Sequence, residues 1–214
     1  MTDRIAALAM LRHALKIGAL EYIPAGRKLK SGRVSTHFFN SALFVTGEDA
    51  NMLMNAYVAA VAEHEVLGKI ASYGVYGPPY KGTLLVYGFI TTHGGANVFF
   101  ASSRKEAKDH GEGGTDLGGD LAGQDIIIID DVTTSGDSLL EAARYIISRG
   151  GRVIGCVIAF DRQERYRDDT TESAAQRVER ELGVPVVAAA NLDNLMELLR
   201  EEGQLVWLAH IERY

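Results

Sequence analysis

Residues 126–140 read IIIIDDVTTSGDSLL, and no other stretch restricts the fold of this chain as much. Four consecutive isoleucines leave no polar face. A short β-branched run bounded by turn residues predicts a strand buried on both faces of a parallel sheet. The run stops at two acids, Asp130 and Asp131, and continues through Val132 into Thr133, Thr134, Ser135 and Gly136. Asp137 or Ser138 is placed to cap a helix predicted over Leu139–Arg149. The order is therefore strand, acidic tip, small-residue loop, helix N-terminus.

Each part has a chemical use. Small residues let backbone N–H groups converge on an anion, and the helix dipole adds partial positive charge, so Val132 through Ser138 form a candidate phosphate cradle. The neighbouring carboxylates suit the 2′- and 3′-hydroxyls of a ribose, which donate hydrogen bonds. No Gly-Lys-Ser/Thr follows, so the loop is not of the Walker type. The bland alternative is an ordinary strand–turn–helix capped by Asp137; against it stands the cost of placing paired acids at the end of a buried strand without a ligand. The stretch resembles the phosphoribosyl-diphosphate (PRPP) signature of type I phosphoribosyltransferases.

The 214 residues suffice for one good-sized core, expected as a single domain over 1–214. A net charge of −6 argues against a general nucleic-acid partner. No apolar run reaches the roughly 18 residues of a membrane span. The N-terminus lacks a signal-peptide pattern, and the one cysteine, Cys156, sits in an apolar strand and fits a reducing, cytoplasmic setting. Helical spacing appears over 3–17 and 50–67, the latter capped by Thr46–Asp49; residues 19–45 read as a small hood containing a hairpin outside the main sheet. Strands are predicted over 70–76, 98–102, 153–160 and 184–190, with helices over 83–92, 172–182 and 192–202. This alternation predicts an α/β fold with a mostly parallel central sheet flanked by helices on both faces. Ligands of such sheets bind beyond the carboxyl ends of the strands, which here are Gly77–Gly82, Arg104, Asp130–Ser138 and Asp161–Arg162.

The segment 104–120, rich in glycine and charge, has little to place in a core and reads as a flexible catalytic lid. Its string RKEAKDHGEGG, with LKSG and FFN upstream and DRQER downstream, is similar to bacterial orotate phosphoribosyltransferases, in the same order over about residues 20–199. That resemblance implies the type I phosphoribosyltransferase fold and the reaction of orotate with PRPP to give orotidine 5′-monophosphate and diphosphate, in UMP biosynthesis. It implies Lys30, Tyr80, Lys81, Arg104, Lys105, Lys108 and His110 as PRPP contacts, beside Asp130 through Ser138. It implies Phe38, Phe39, Thr134 and Arg162 around orotate, a planar guanidinium suiting the carboxylate. Phe38 and Phe39 as plain core, and Arg162 as a partner of Glu164 or Asp161, are the alternatives. Lys108 is the expected catalytic residue, with Asp109 and His110 beside it.

The resemblance further implies Mg²⁺ carried on PRPP and water near Asp130 and Asp131, with no assured protein ligand, and a homodimer whose lid reaches the neighbouring site. His37 stands where the family commonly has tyrosine, and Pro79 and Asp137 where smaller residues are frequent. Two rivals share the cradle: a salvage transferase for another base, which has no need of Arg162, and a non-catalytic PRPP sensor, which has no need of Lys108 or His110.

Overall fold

The isoleucine strand is the hinge between two cores. The computed structural model describes residues 2–28, 32, 34–108 and 114–212, by backbone alone at 2, 105, 107, 108, 114 and 115. Strand β6 (Asp125–Asp130) lies in a six-stranded sheet with β3 (Tyr73–Gly77), β4 (Val98–Lys108), β5 (Gly114–Gly118), β7 (Arg152–Asp161) and β8 (Val186–Asn191). The spatial order is β5-β4-β3-β6-β7-β8, parallel except for β4 with β5. Ile126 through Ile129 are all fully buried. Ile127 and Ile129 face a core shared with helices α1 (Thr2–Lys16), α2 (Gly47–Glu63), α3 (Lys81–His93), α6 (Leu192–Glu201) and α7 (Leu205–Ile211). Ile126 and Ile128 face a second core under α4 (Asp137–Ser148) and α5 (Ala174–Leu182). The strict period of two across a parallel sheet explains why an unbroken apolar run was required.

Strands β1 (Leu20–Lys28) and β2 (Val34–Phe39) pair antiparallel as a separate two-stranded sheet, the expected hood. Its inner residues Leu20 and Phe39 belong to the first core, and Tyr22 stacks on Trp207 at 5.3 Å while meeting His210 Nδ1 through its hydroxyl at 2.8 Å. The C-terminal helix thus anchors the N-terminal hairpin, a contact without a local sequence signal.

Several boundaries move for identifiable reasons. Strand β3 starts at Tyr73 rather than Ile70, because residues 67–69 close a 3₁₀ turn first. Strand β4 runs on to Lys108 instead of stopping at Ser102, and pairs with β5, so much of the charged segment is an antiparallel edge hairpin. An edge tolerates glycine and charge because its outer side pairs with nothing. Helix α2 carries the expected capping box, with Thr46 and Asp49 exchanging side-chain and backbone bonds. Helix α4 does not have the expected Asp137 or Ser138 cap: Gly136, at φ +91°, is the N-cap, and both side chains are engaged elsewhere. Gly136 is required twice over, since a Cβ there would lie 2.8 Å from Val178 Cγ2.

Tyr57 of α2, fully buried, donates its hydroxyl proton to the main-chain carbonyl of Asp130 at 2.7 Å and so fixes the end of β6 from beneath. Tyr57→Phe keeps the ring and removes that bond, a loss of about 1 kcal/mol. The expected fall in thermal midpoint is roughly 2–4 °C, read in a calorimetric scan; an unchanged midpoint would show that the bond does not tie down the strand.

Candidate active site

Where the sheet reverses its order, beside β6, the strand ends open into a cleft of about 730 Å³. Its walls include Phe38, Phe39, Tyr80, Lys81, Asp130 through Ser135, Asp137, Ser138 and Arg162, so most of the residues expected from the sequence meet in one place. The volume is that of a small-molecule site.

Both acids are only 8% exposed, and each is held in a fixed pose. Asp130 Oδ2 accepts the Ser138 hydroxyl at 2.8 Å and Asp130 Oδ1 accepts the Asp131 N–H at 2.9 Å. Asp131 Oδ2 accepts both Lys81 Nζ and the Ser41 hydroxyl, each at 2.8 Å, while its Oδ1 takes the Val132 N–H. Burial, reinforced by the charge of Asp131, raises the Asp130 carboxyl to about 6; Ser138, the Asp131 N–H and Lys81 act the other way without cancelling it.

The loop after the acids is built for close approach. The Gly136 N–H turns inward to Thr133 Oγ1 at 2.9 Å. From α5, Arg177 braces it by donating to the Ser135 carbonyl at 2.7 Å and to Asp137 at 2.9 Å. Across the cleft, the turn between β3 and α3 carries Lys81 and a cis peptide between Pro79 and Tyr80. A Cβ on Gly77 would lie 2.0 Å from the Gly82 carbonyl oxygen, so only glycine lets this strand end lie against the helix start.

Arg162 leaves the end of β7 with its side chain 5% exposed and lines the cleft. Its Nη2 donates weakly to the Thr133 carbonyl at 3.4 Å, and its Nε lies 3.8 Å from Glu164 Oε2. Phe38 is half-buried under the Arg27 guanidinium, 4.0 Å from the ring centroid, whereas Phe39 is 2% exposed and stacks on Phe160 in the core. Phe39 thus packs in the core and also lines the cleft. His37 is buried behind Arg162; burial and the Arg162 charge lower it to about 4, although Glu164 Oε1 lies 3.5 Å from its Nε2.

Other expected residues are not brought together here. Arg104 is half-buried on β4 and is not among the lining residues. Lys30, Asp109 and His110, and the side chains of Lys105 and Lys108, lie outside the described residues. Conversely, Arg27, Lys28 and Glu141 line the cleft, and Ser41 grips Asp131, with no motif to announce them; Asn40, the last residue of FFN, also lines it.

Comparison with known proteins agrees with this geometry. Residues 73–182 match the phosphoribosyl transferase domain family. The orotate phosphoribosyltransferase of Xanthomonas oryzae pv. oryzae is 39% identical over 211 residues, 96% of this chain and 91% of its own length. That of Bordetella pertussis is 40% identical, covering 92% and 89%. The crystal structure of Francisella tularensis orotate phosphoribosyltransferase superposes with a TM-score of 0.79 at 28% identity, over 95% of this chain and 96% of the other. The chain belongs to the orotate phosphoribosyltransferase family.

Proposed function

We propose that the cleft transfers the 5-phosphoribosyl group of PRPP to orotate, with orotidine 5′-monophosphate and diphosphate as products, as a step of UMP synthesis. One observation carries the assignment of roles: a buried, fork-shaped cation, Arg162, lines the same cleft as the acid pair and the small-residue loop. PRPP seats its 5-phosphate in the loop from Val132 to Ser138 and its ribose hydroxyls on Asp130 and Asp131, while the orotate carboxylate faces Arg162. Lys81 lies beside the diphosphate. As a base nitrogen bonds to C1′, the C1′–O bond breaks, its electron pair leaves with diphosphate, and the proton of that nitrogen passes to the departing diphosphate. Positioning and charge stabilisation carry most of such a reaction.

Mg²⁺ supplies charge neutralisation on the diphosphate when bound. Among the described residues no cluster of three His, Cys, Asp or Glu side chains could hold a metal alone, but the cleft-lining acid pair suits an ion carried in on PRPP through water. Lys105, Lys108, Asp109 and His110 belong to the proposed closing lid over 104–120, with Lys108 as the principal catalytic cation and Arg104 and Lys30 as further PRPP contacts. A homodimer fits the exposed side chains of Tyr80, Leu84 and Tyr87 along one face of α3, next to the cleft rim. No helix among the described residues is long and apolar enough to cross a membrane. Cys156, buried with its thiol pushed up to about 12, fits the proposed cytoplasmic setting.

Mixing the protein with orotate, PRPP and Mg²⁺ is expected to bleach the orotate ultraviolet band, and a persistent band would overturn the reaction. Arg162→Met is expected to raise the orotate KM about a hundredfold, the scale of unpairing a buried charge, with PRPP binding within about twofold.

A third outcome concerns pH. Because the Asp130 carboxyl is raised to about 6, acidification through that value converts an acceptor into a donor and weakens its hold on the ribose hydroxyls. kcat/KM for PRPP is expected to fall below pH 6 by an increment that Asp130→Asn lacks, the titration of PRPP itself being common to both proteins. The group's effect on stability has the opposite sign. Its folded value lies above the unfolded one, so between about pH 6 and 4 the folded state binds more protons, and acidification stabilises it.

A further inference from the structure

We propose that Glu164, held from the hood by Ser35, is the positioning residue that aims Arg162 into the cleft and thereby sets selectivity for a carboxylate-bearing base; this rests on the orotate reading of Arg162. Glu164 follows Arg162 by two residues, and the chain doubles back between them. Gln163 sits at φ +52°, a left-handed conformation uncommon for a residue with a side chain. It is held there by its own N–H on Asp161 Oδ1 at 2.9 Å and by two bonds with Asp193 at the start of α6. The turn brings Glu164 beneath the guanidinium, with Oε2 3.8 Å from Arg162 Nε. Its other oxygen, Oε1, accepts the hydroxyl of fully buried Ser35 at 2.6 Å, across 129 positions of sequence.

This arrangement has a specific consequence. Among the described residues, Arg162 Nε has no hydrogen-bond partner, and its contact with Glu164 is too long to be one. Glu164 therefore lends compensating charge to a buried cation without capturing its fork. Ser35 draws the carboxylate toward β2, away from a bidentate embrace of Arg162. The fork stays open to a ligand carboxylate, and the Ser35 hydroxyl couples Glu164 to the hood.

The test is steady-state kinetics on the full chain for Glu164→Gln, Ser35→Ala, Arg162→Met and the Glu164→Gln/Arg162→Met pair, with thermal midpoints alongside. Glu164→Gln is expected to raise the orotate KM about tenfold while the PRPP KM and kcat stay within about twofold. The effect should vanish in the Arg162→Met background, as for two residues acting through one contact. Ser35→Ala should raise the orotate KM about threefold, and it decides the matter if Glu164→Gln does not fold. An orotate KM unchanged or lowered in Glu164→Gln, a PRPP KM that rises as much, or an additive double variant overturns the positioning role while leaving Arg162 in place. An Arg162→Met protein with the original orotate KM overturns the orotate reading itself, and the proposal with it.

Discussion

Two carboxylates at the end of a strand buried on both faces are the constraint around which the molecule is arranged. Desolvation works against ionising Asp130 and is the leading cause of its raised carboxyl. The surroundings offset this in three ways. Ser138 and Ser41 donate to the carboxylates, Lys81 brings an opposite charge, and the backbone N–H groups of Asp131 and Val132 point back at the side chains before them. The donors come from four places: the start of α4, the turn after the hood hairpin, the start of α3, and the strand tip itself. The acid pair therefore gathers these elements around one point.

The strength of these contacts is graded. Lys81 is 53% exposed on its side chain, so its ion pair with Asp131 is screened and worth no more than about 1 kcal/mol. A contact that weak yields readily to a competing anion. The bond from Tyr57 is fully buried and goes to the main chain, so it holds the strand end while Lys81 is free to exchange partners. Arg177 plays a comparable fixed role on the phosphate loop: its two bonds to the loop are matched by one to Glu181, and Tyr166 lies under its guanidinium.

How far the sequence could be read follows from these distances along the chain. The buried strand, the acid tip, the loop and the alternation of strands and helices were legible because each is a local pattern of period, β-branching or small residues. The capping box at Thr46 and Asp49 was legible for the same reason. The α4 cap was misread because Asp137 and Ser138 have the right chemistry for a cap, yet tertiary partners, Arg177 and Asp130, claim them. The extension of β4 was hidden because past Ser102 it pairs with the edge strand β5, where no apolar alternation is needed. Ser35 with Glu164, Ser41 with Asp131 and Tyr22 with Trp207 span 129, 90 and 185 positions, and no single-residue signal encodes such pairs.

The charge layout of the cleft resolves an apparent contradiction. A chain with net charge −6 is proposed to bind two anionic substrates, and it places two acids at the centre of their site. Long-range attraction is then weak, and recognition depends on short-range order. The lining carries Arg27, Lys28, Lys81 and Arg162 around the central acids. A ligand with anionic groups and a hydroxyl-bearing middle satisfies that alternation in one orientation, whereas shifting it along the cleft sets phosphate against carboxylate. In the proposed binding mode the acids discriminate by repulsion as well as by hydrogen bonding. In that reading the buried placement of the acid pair between the cations is the physical source of the site's orientational selectivity.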